Sequence, residues 1–131
     1  MVWDTRISGH AATLIGIESH PRPAGEPGQP DWWAGAALYP QAAKKIARAV
    51  NAASGHRPVV VLANLAGFDG SRWSLRNQQL EWGAELARSV VNFDGPIVVV
   101  IIGRFHGGAY VVFNRHLNDQ LRMVALEGTR V

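Results

Sequence analysis

The sequence predicts an α/β fold in which mostly parallel, buried strands are flanked by helices. Three observations predict it. Two unbroken apolar runs, PVVVLAN at residues 58–64 and IVVVII at 97–102, have the composition of strands covered on both faces. Around them lie stretches with apolar residues at spacings of three and four, the period of helices packed on a sheet. Each run then leads into a glycine-bearing loop, AGFDG at 66–70 and HGGA at 106–109.

With 131 residues the chain has the size of one domain with a real core. Apolar residues make up 47 %, and the 14 glycines and 7 prolines belong to a folded protein with substantial loops rather than a disordered one. Cysteine is absent, which removes disulfide and thiolate chemistry. Neither a leader pattern nor an apolar run long enough for a bilayer is present, so a cytoplasmic protein without a membrane partner is the simplest expectation. The net charge of +3 comes from 13 basic and 10 acidic side chains, scattered except for Lys44-Lys45 with Arg48. That trio makes either a basic helix face for a phosphate or an ordinary solvated surface. Nucleic acid is disfavoured, because no recognition motif or aromatic platform accompanies the charge.

Taken in order, Trp3 to Ile7 supply a short first strand with Ser8-Gly9 as its turn, and AATLIGIE at 11–18 a buried second strand. PRPAGEPGQP at 21–30 then holds four prolines and two glycines, which disfavour helix and central strand and predict a surface loop. Pro40 suits the first position of a helix, where its missing N–H costs nothing. Ala42, Ile46, Ala49, Val50 and Ala53 line that helix, and Gly55 suits the position just past its end. After the strand at 58–64, a second helix spans about 74–92, with Leu75, Gln79, Trp82, Leu86, Val90 and Phe93 as one stripe. Leu80, Ala84, Ala87 and Val91 widen the stripe enough to imply burial on a sheet and against another subunit. Asp94-Gly95-Pro96 forms a turn before the strand at 97–102. AYVVF at 109–113 reads as helix from its glycine entry, although valine argues for strand. LRMVAL at 121–126 closes the sheet. Right-handed crossovers between such strands bring Asn64–Gly70 and Arg104–Ala109 to one sheet edge, where ligands bind in open α/β sheets.

The chemistry at that edge belongs to amides more than side chains. Gly107 and Gly108 let a ligand approach the backbone, and Ala109 at a helix start has an N–H without an intrahelical acceptor. Such donors stabilise an oxygen gaining negative charge, each worth about 3–4 kcal/mol in known enzymes. The competing reading is that the glycines serve close helix–sheet packing. Neither loop has the spacing of a nucleotide fingerprint or a nucleophile elbow, so Ser71 is not a nucleophile, and Asp69 serves its own turn. His106 precedes the glycines and either positions a ligand or moves a proton. His10, His20, His56 and His116 have no metal-ligand spacing, so no metal is expected. Trp32-Trp33 is either a lid or interface anchor, or loop packing.

Together, ALYPQAAKKIARAVNAASGHRPVVVLANLAGFDGS and LEWGAELARSVVNFDGPIVVVIIGRFHGGAYVVF resemble the carboxyltransferase part of biotin-dependent acyl-CoA carboxylases. The likeness is narrowest to its carboxybiotin-side, C-terminal half and covers nearly the whole chain. It implies a partial crotonase-like fold of repeated ββα units, residues 1–131 being a single, truncated half-domain with a surface loop at 21–31. It also implies transfer of a carboxyl group from biotin to the α-carbon of an acyl-CoA. By this resemblance Gly108 and Ala109 hold the biotin urea oxygen, and Gly67, Phe68, Gly70 and Gly107 complete the cofactor pocket. Tyr110 supports the short helix, and His106 falls on a variable position. The implied partners are a biotin carboxyl carrier, a biotin carboxylase and a CoA-side carboxyltransferase half, within a homo- or hetero-oligomer. The CoA-side half has no counterpart in this chain, so broad apolar surface, including the Val90–Phe93 side of the long helix, is expected to need cover. A non-catalytic binding or assembly role is the alternative.

Overall fold

A computed structural model describes all residues, Met1–Val131. Its elements are β1 Val2–Ile7, β2 His10–Gly16, β3 Arg22–Pro23, β4 Trp32–Trp33, β5 Ala37–Leu38 and α1 Pro40–Ala53. They continue as β6 Val59–Leu65, β7 Gly67–Phe68, α2 Arg72–Arg76, α3 Gln79–Val91, β8 Ile97–Phe105, α4 Gly108–Val112 and β9 Leu121–Ala125. Five strands form one sheet in the order β1-β2-β6-β8-β9. All neighbours in it are parallel except β1, which pairs antiparallel with β2. The β1–β2 hairpin turns on Ser8 and Gly9, both at positive φ, the geometry whose twist matches paired strands.

The predicted fold class holds, with a difference in how the sheet is covered. Both α1 and α3 join one core cluster with Val59, Val61, Ala63 and Leu65 of β6 and Ile97, Val99, Ile101 and Phe105 of β8. The alternate residues tell another story. Leu14, Val60, Leu62, Val98 and Val100 are only partly buried, while Ile102 is 44 % and Val124 53 % exposed. Helices therefore cover one face of the sheet, and the other is an apolar surface in water. A run of valine and isoleucine has the same composition whether or not its second face is covered by the same chain, so sequence did not separate the cases.

Pro40–Ala53 forms the helix expected from its proline start, and Gly55, at φ 72°, follows its end and donates to Asp94 O at 2.7 Å. The second helix differs: it breaks into α2 and α3 at Asn77-Gln78. Asn77 Nδ2 turns back to Trp73 O at 2.8 Å, and Gln78 adopts the left-handed region at φ 65°. The break rotates Leu75 and Leu80 to the surface, 52 % and 74 % exposed, although both were expected on the apolar stripe. Of the Val90–Phe93 side expected to need cover, Val90 and Phe93 are sealed in the core while Val91 is 50 % exposed. The proline-rich segment is not wholly irregular either. Arg22–Pro23 pairs with Trp32–Trp33, a two-rung ladder at a free edge where a proline is tolerated. Its anchor is Trp33, whose ring meets Tyr39 at 4.6 Å and Trp73 at 5.2 Å, so loop packing explains it, whereas Trp32 is 58 % exposed. The basic trio of α1 is also divided, since Lys44 Nζ stands 4.4 Å over the Trp82 ring.

Candidate functional site

Two short features bring the glycine loops together. A bulge between Ala63 and Leu65 shifts β6 against β8, and Asn64 braces it. Its Oδ1 accepts the Arg104 N–H at 2.9 Å, and its Nδ2 donates to Ser19 Oγ at 3.0 Å. Then β7 pairs with β5, Ala37 opposite Gly67 and Leu38 opposite Phe68, a second small sheet outside the main one. These two-residue strands carry no readable period, which is why sequence missed them.

The expected juxtaposition is present. A Cβ on Gly67 would lie 3.7 Å from His106 O, 3.9 Å from Gly107 Cα and 4.0 Å from Gly108 N. Gly67 has φ 129° and Gly107 φ 59°, both in the region that favours glycine. Thus two backbones come within van der Waals contact at a point where neither has a conformation that suits a side chain. The segment after Gly107 is helical, α4, so its glycine entry outweighed valine propensity. Its first turn closes by Tyr110 N–H to Gly107 O at 3.1 Å. The N–H groups of Gly107, Gly108 and Ala109 precede the helical ladder, and no turn, cap or side-chain acceptor takes them. Ala109 is fully buried, Gly108 partly buried and Gly107 exposed. A buried N–H without a partner is rare and costs free energy.

Phe68 lies against Gly108. A Cβ on Gly108 would run into its ring, and one on Gly83 of α3 would stand 3.7 Å from it. The ring is wedged between two glycines, on α3 and α4. The space beside Gly108, where the resemblance implies a cofactor pocket, is therefore filled by Phe68 in this chain. Two cavities, of about 410 and 430 Å³, open elsewhere. The first lies beneath the β3–β4 hairpin between Glu18, Arg22, Trp33 and Lys45, and the second between α1 and α3. At the first, the Glu18 carboxyl is held below its usual range chiefly by the His20 N–H, which donates to it at 3.0 Å.

The remaining residues fall into place around the loops. Gly70 is exposed with open space beside it and does not join the glycine crossing. Asp69 accepts the Ser71 N–H at 3.2 Å and the Ser71 hydroxyl, the local turn role expected of it. His106 is exposed and forms no ion pair, while its N–H goes to Leu65 O at 3.0 Å. Tyr110 packs edge-on to Phe105 with centroids 6.2 Å apart. No group of three or more His, Cys, Asp or Glu is placed to hold a metal. Sequence reading had Gln79 on an apolar stripe without marking what its buried carboxamide means. Its signal was a polar residue at a core position of a helix.

A family model described as the carboxyl transferase domain matches residues 5–131. The chain belongs to this carboxyltransferase domain family. Acetyl-CoA carboxylase of Schizosaccharomyces pombe is 30 % identical over 145 aligned residues, covering 99 % of this chain and 6 % of that protein. Acetyl-CoA carboxylase of Saccharomyces cerevisiae is 32 % identical over 105 residues, covering 76 % of this chain and 4 % of that protein. Among solved structures, the β subunit of Pseudomonas aeruginosa geranyl-CoA carboxylase superposes with a TM-score of 0.77 at 22 % identity. It covers 98 % of this chain and 22 % of its own. Transcarboxylase 12S gives 0.72 at 18 % identity, over 93 % of this chain and 22 % of its own. The chain thus spans 6 % and 4 % of the two carboxylases named and 22 % of each of the two solved chains. No helix in it is long and apolar enough to cross a membrane.

Proposed function

We propose that this carboxyltransferase domain is the biotin-side component of an acyl-CoA carboxyltransferase and needs a partner half-site for turnover. The observation that carries the reading is the group of unspent N–H donors at Gly107, Gly108 and Ala109, set against Gly67 where both backbones are bare. Biotin, borne by a carrier domain or subunit, supplies the carboxyl group and the base that takes the α-proton of the acyl-CoA. The Gly108 and Ala109 N–H groups would hold the ureido oxygen of bound biotin and stabilise negative charge on it. Gly67 and Gly107 border the site, Phe68 must turn aside from Gly108 to open it, and Gly70 lies at its exposed rim. No side chain acts as base, in keeping with the absence of a carboxylate beside His106. The acyl-CoA is held by a partner chain, and a homo- or hetero-oligomer follows from that need. A biotin carboxylase, which would load the carboxyl group onto biotin, is the upstream partner in this reading.

The test is titration calorimetry with biotin, followed by carboxyl transfer to acyl-CoAs after a CoA-side half is added. Ala109→Pro deletes one donor in the first helical turn, where proline is tolerated. Circular dichroism should stay unchanged while biotin affinity falls by about 1 kcal/mol, several-fold, and carboxyl transfer in the reconstituted system falls by roughly a hundredfold or more. Biotin binding that survives Ala109→Pro would count against the amide site. The second reading, a non-catalytic assembly protein derived from this fold, is favoured by the Phe68 ring on Gly108. It predicts complex formation with a partner and no carboxyl transfer.

A further inference from the structure

Charges of both signs line the cavity of about 410 Å³ beneath the β3–β4 hairpin, yet its cations Arg22 and Lys45 take part in no ion pair. The roof is tied down. Trp73 Nε1 donates to Gly28 O at 2.7 Å, Gln29 Nε2 to Glu26 Oε2 at 2.7 Å, and the Ala34 N–H to the Tyr39 hydroxyl at 2.9 Å. One wall is also held under strain: Ala36 sits at φ 63°, a region that non-glycine residues avoid, with its N–H on Glu18 O at 2.7 Å. Such strain persists where the surroundings over-determine it, and it collects at ligand sites. The space has the size of a small-molecule site, which runs from about 300 to 1,000 Å³.

Eleven of the nineteen lining residues are hydrophobic, among them Trp33 and the core residues Leu38 and Ile46. That lining suits an apolar body. It is a poor bed for bare phosphate, whose charges would give up their water against it. The cations act together on one stretch of wall. Lys45 faces this cavity, whereas its neighbour Lys44 stands over Trp82. The Met1 amine on the same wall is pushed below its ordinary pKa first by burial and next by Lys45, with Glu18 opposing and Arg22 adding. Both cations are therefore felt at one partly dry place, where attraction for an anion is stronger than in open water. Glu18 and Glu26 also line the cavity and limit its positive field, which favours one negative charge over two.

We propose that this cavity binds a small amphiphilic monocarboxylate, its apolar body against Trp33, Leu38 and Ile46 and its carboxylate between Arg22 and Lys45. The site is separate from the glycine loops and independent of the biotin-side reading. Its test is titration calorimetry of the whole chain with 3-phenylpropionate, the uncharged 3-phenylpropionamide and acetate. The titrations are repeated on Lys45→Met and Arg22→Gln, with Lys44→Met as the control, and thermal unfolding checks each fold. The wild-type chain should bind 3-phenylpropionate with a Kd below about 1 mM, and the amide and acetate at least about tenfold more weakly. Lys45→Met and Arg22→Gln should each weaken the carboxylate about five- to tenfold and leave the amide unchanged, at a thermal midpoint within a few degrees of wild type. Where one of the two does not fold, the other decides. Lys44→Met should alter neither ligand. Equal affinity for carboxylate and amide, or for acetate and 3-phenylpropionate, overturns the proposal. So does a loss in Lys44→Met as large as in Lys45→Met, because the helix charge in general would then be responsible. Absence of saturable heat with 3-phenylpropionate up to about 10 mM overturns it outright.

Discussion

At the scale of single residues, the site is governed by what cannot be added. Phe68 rests on Gly108 so closely that a methyl group there meets the ring, and on the other side Gly83 gives it room. Gly108→Ala should therefore destabilise the chain by about 1–3 kcal/mol, the usual cost of overpacking. Truncating the ring should return part of that loss, so Gly108→Ala and Phe68→Ala ought to be non-additive in denaturant unfolding. Additive losses would mean that the ring does not press on Gly108. The glycine pair, its loop partner and the turn role of Asp69 were legible in sequence because each depends on a residue type with a distinctive backbone or hydrogen-bonding habit. The ring over Gly108 was not, because the approach of Phe68 to a residue 40 positions later is set by the β6 bulge and the β5–β7 pairing.

At the scale of elements, legibility followed punctuation. Pro40 and Gly55 bracket α1, and Ser8-Gly9 and Asp94-Gly95-Pro96 bracket strands, so those boundaries were read within a residue or two. Between α2 and α3 there is no such mark. Arg76, Asn77, Gln78 and Gln79 are all acceptable helix residues, yet Gln78 takes φ 65°. A non-glycine residue held there costs about 1–2 kcal/mol, which glycine largely avoids. Gln78→Gly should thus raise stability by up to about 1 kcal/mol, seen as a higher urea midpoint at unchanged slope. A drop instead would mean that the Gln78 side chain contributes more than its backbone costs. The short strands β3, β4, β5 and β7 were illegible for another reason: two residues contain no alternation to detect.

For the whole molecule, the decisive property is that one sheet face carries the helices and the other carries none. An apolar dye such as anilinonaphthalene sulfonate should bind the folded chain. Val100→Lys, on the partly exposed face, should reduce that fluorescence severalfold while changing stability by less than about 0.5 kcal/mol. Val99→Lys, with its side chain fully buried against the helices, should instead abolish folding. Equal tolerance of both substitutions would contradict the sidedness of the sheet. Placing the strands on one edge-to-edge order was within reach of sequence, since the crossover rule acts on any parallel pair. Sidedness was not, because it depends on the number of layers stacked on the strands and not on the strands themselves.

That bare flank also has a calorimetric consequence. The heat-capacity increment of unfolding grows with the apolar surface newly hydrated, at about 12–15 cal/mol/K per residue for ordinary domains. Here part of the valine and leucine surface is already wet before the chain melts. Scanning calorimetry should therefore return an increment below that per-residue norm, and a stability curve correspondingly flatter, so that this small protein loses little on cooling.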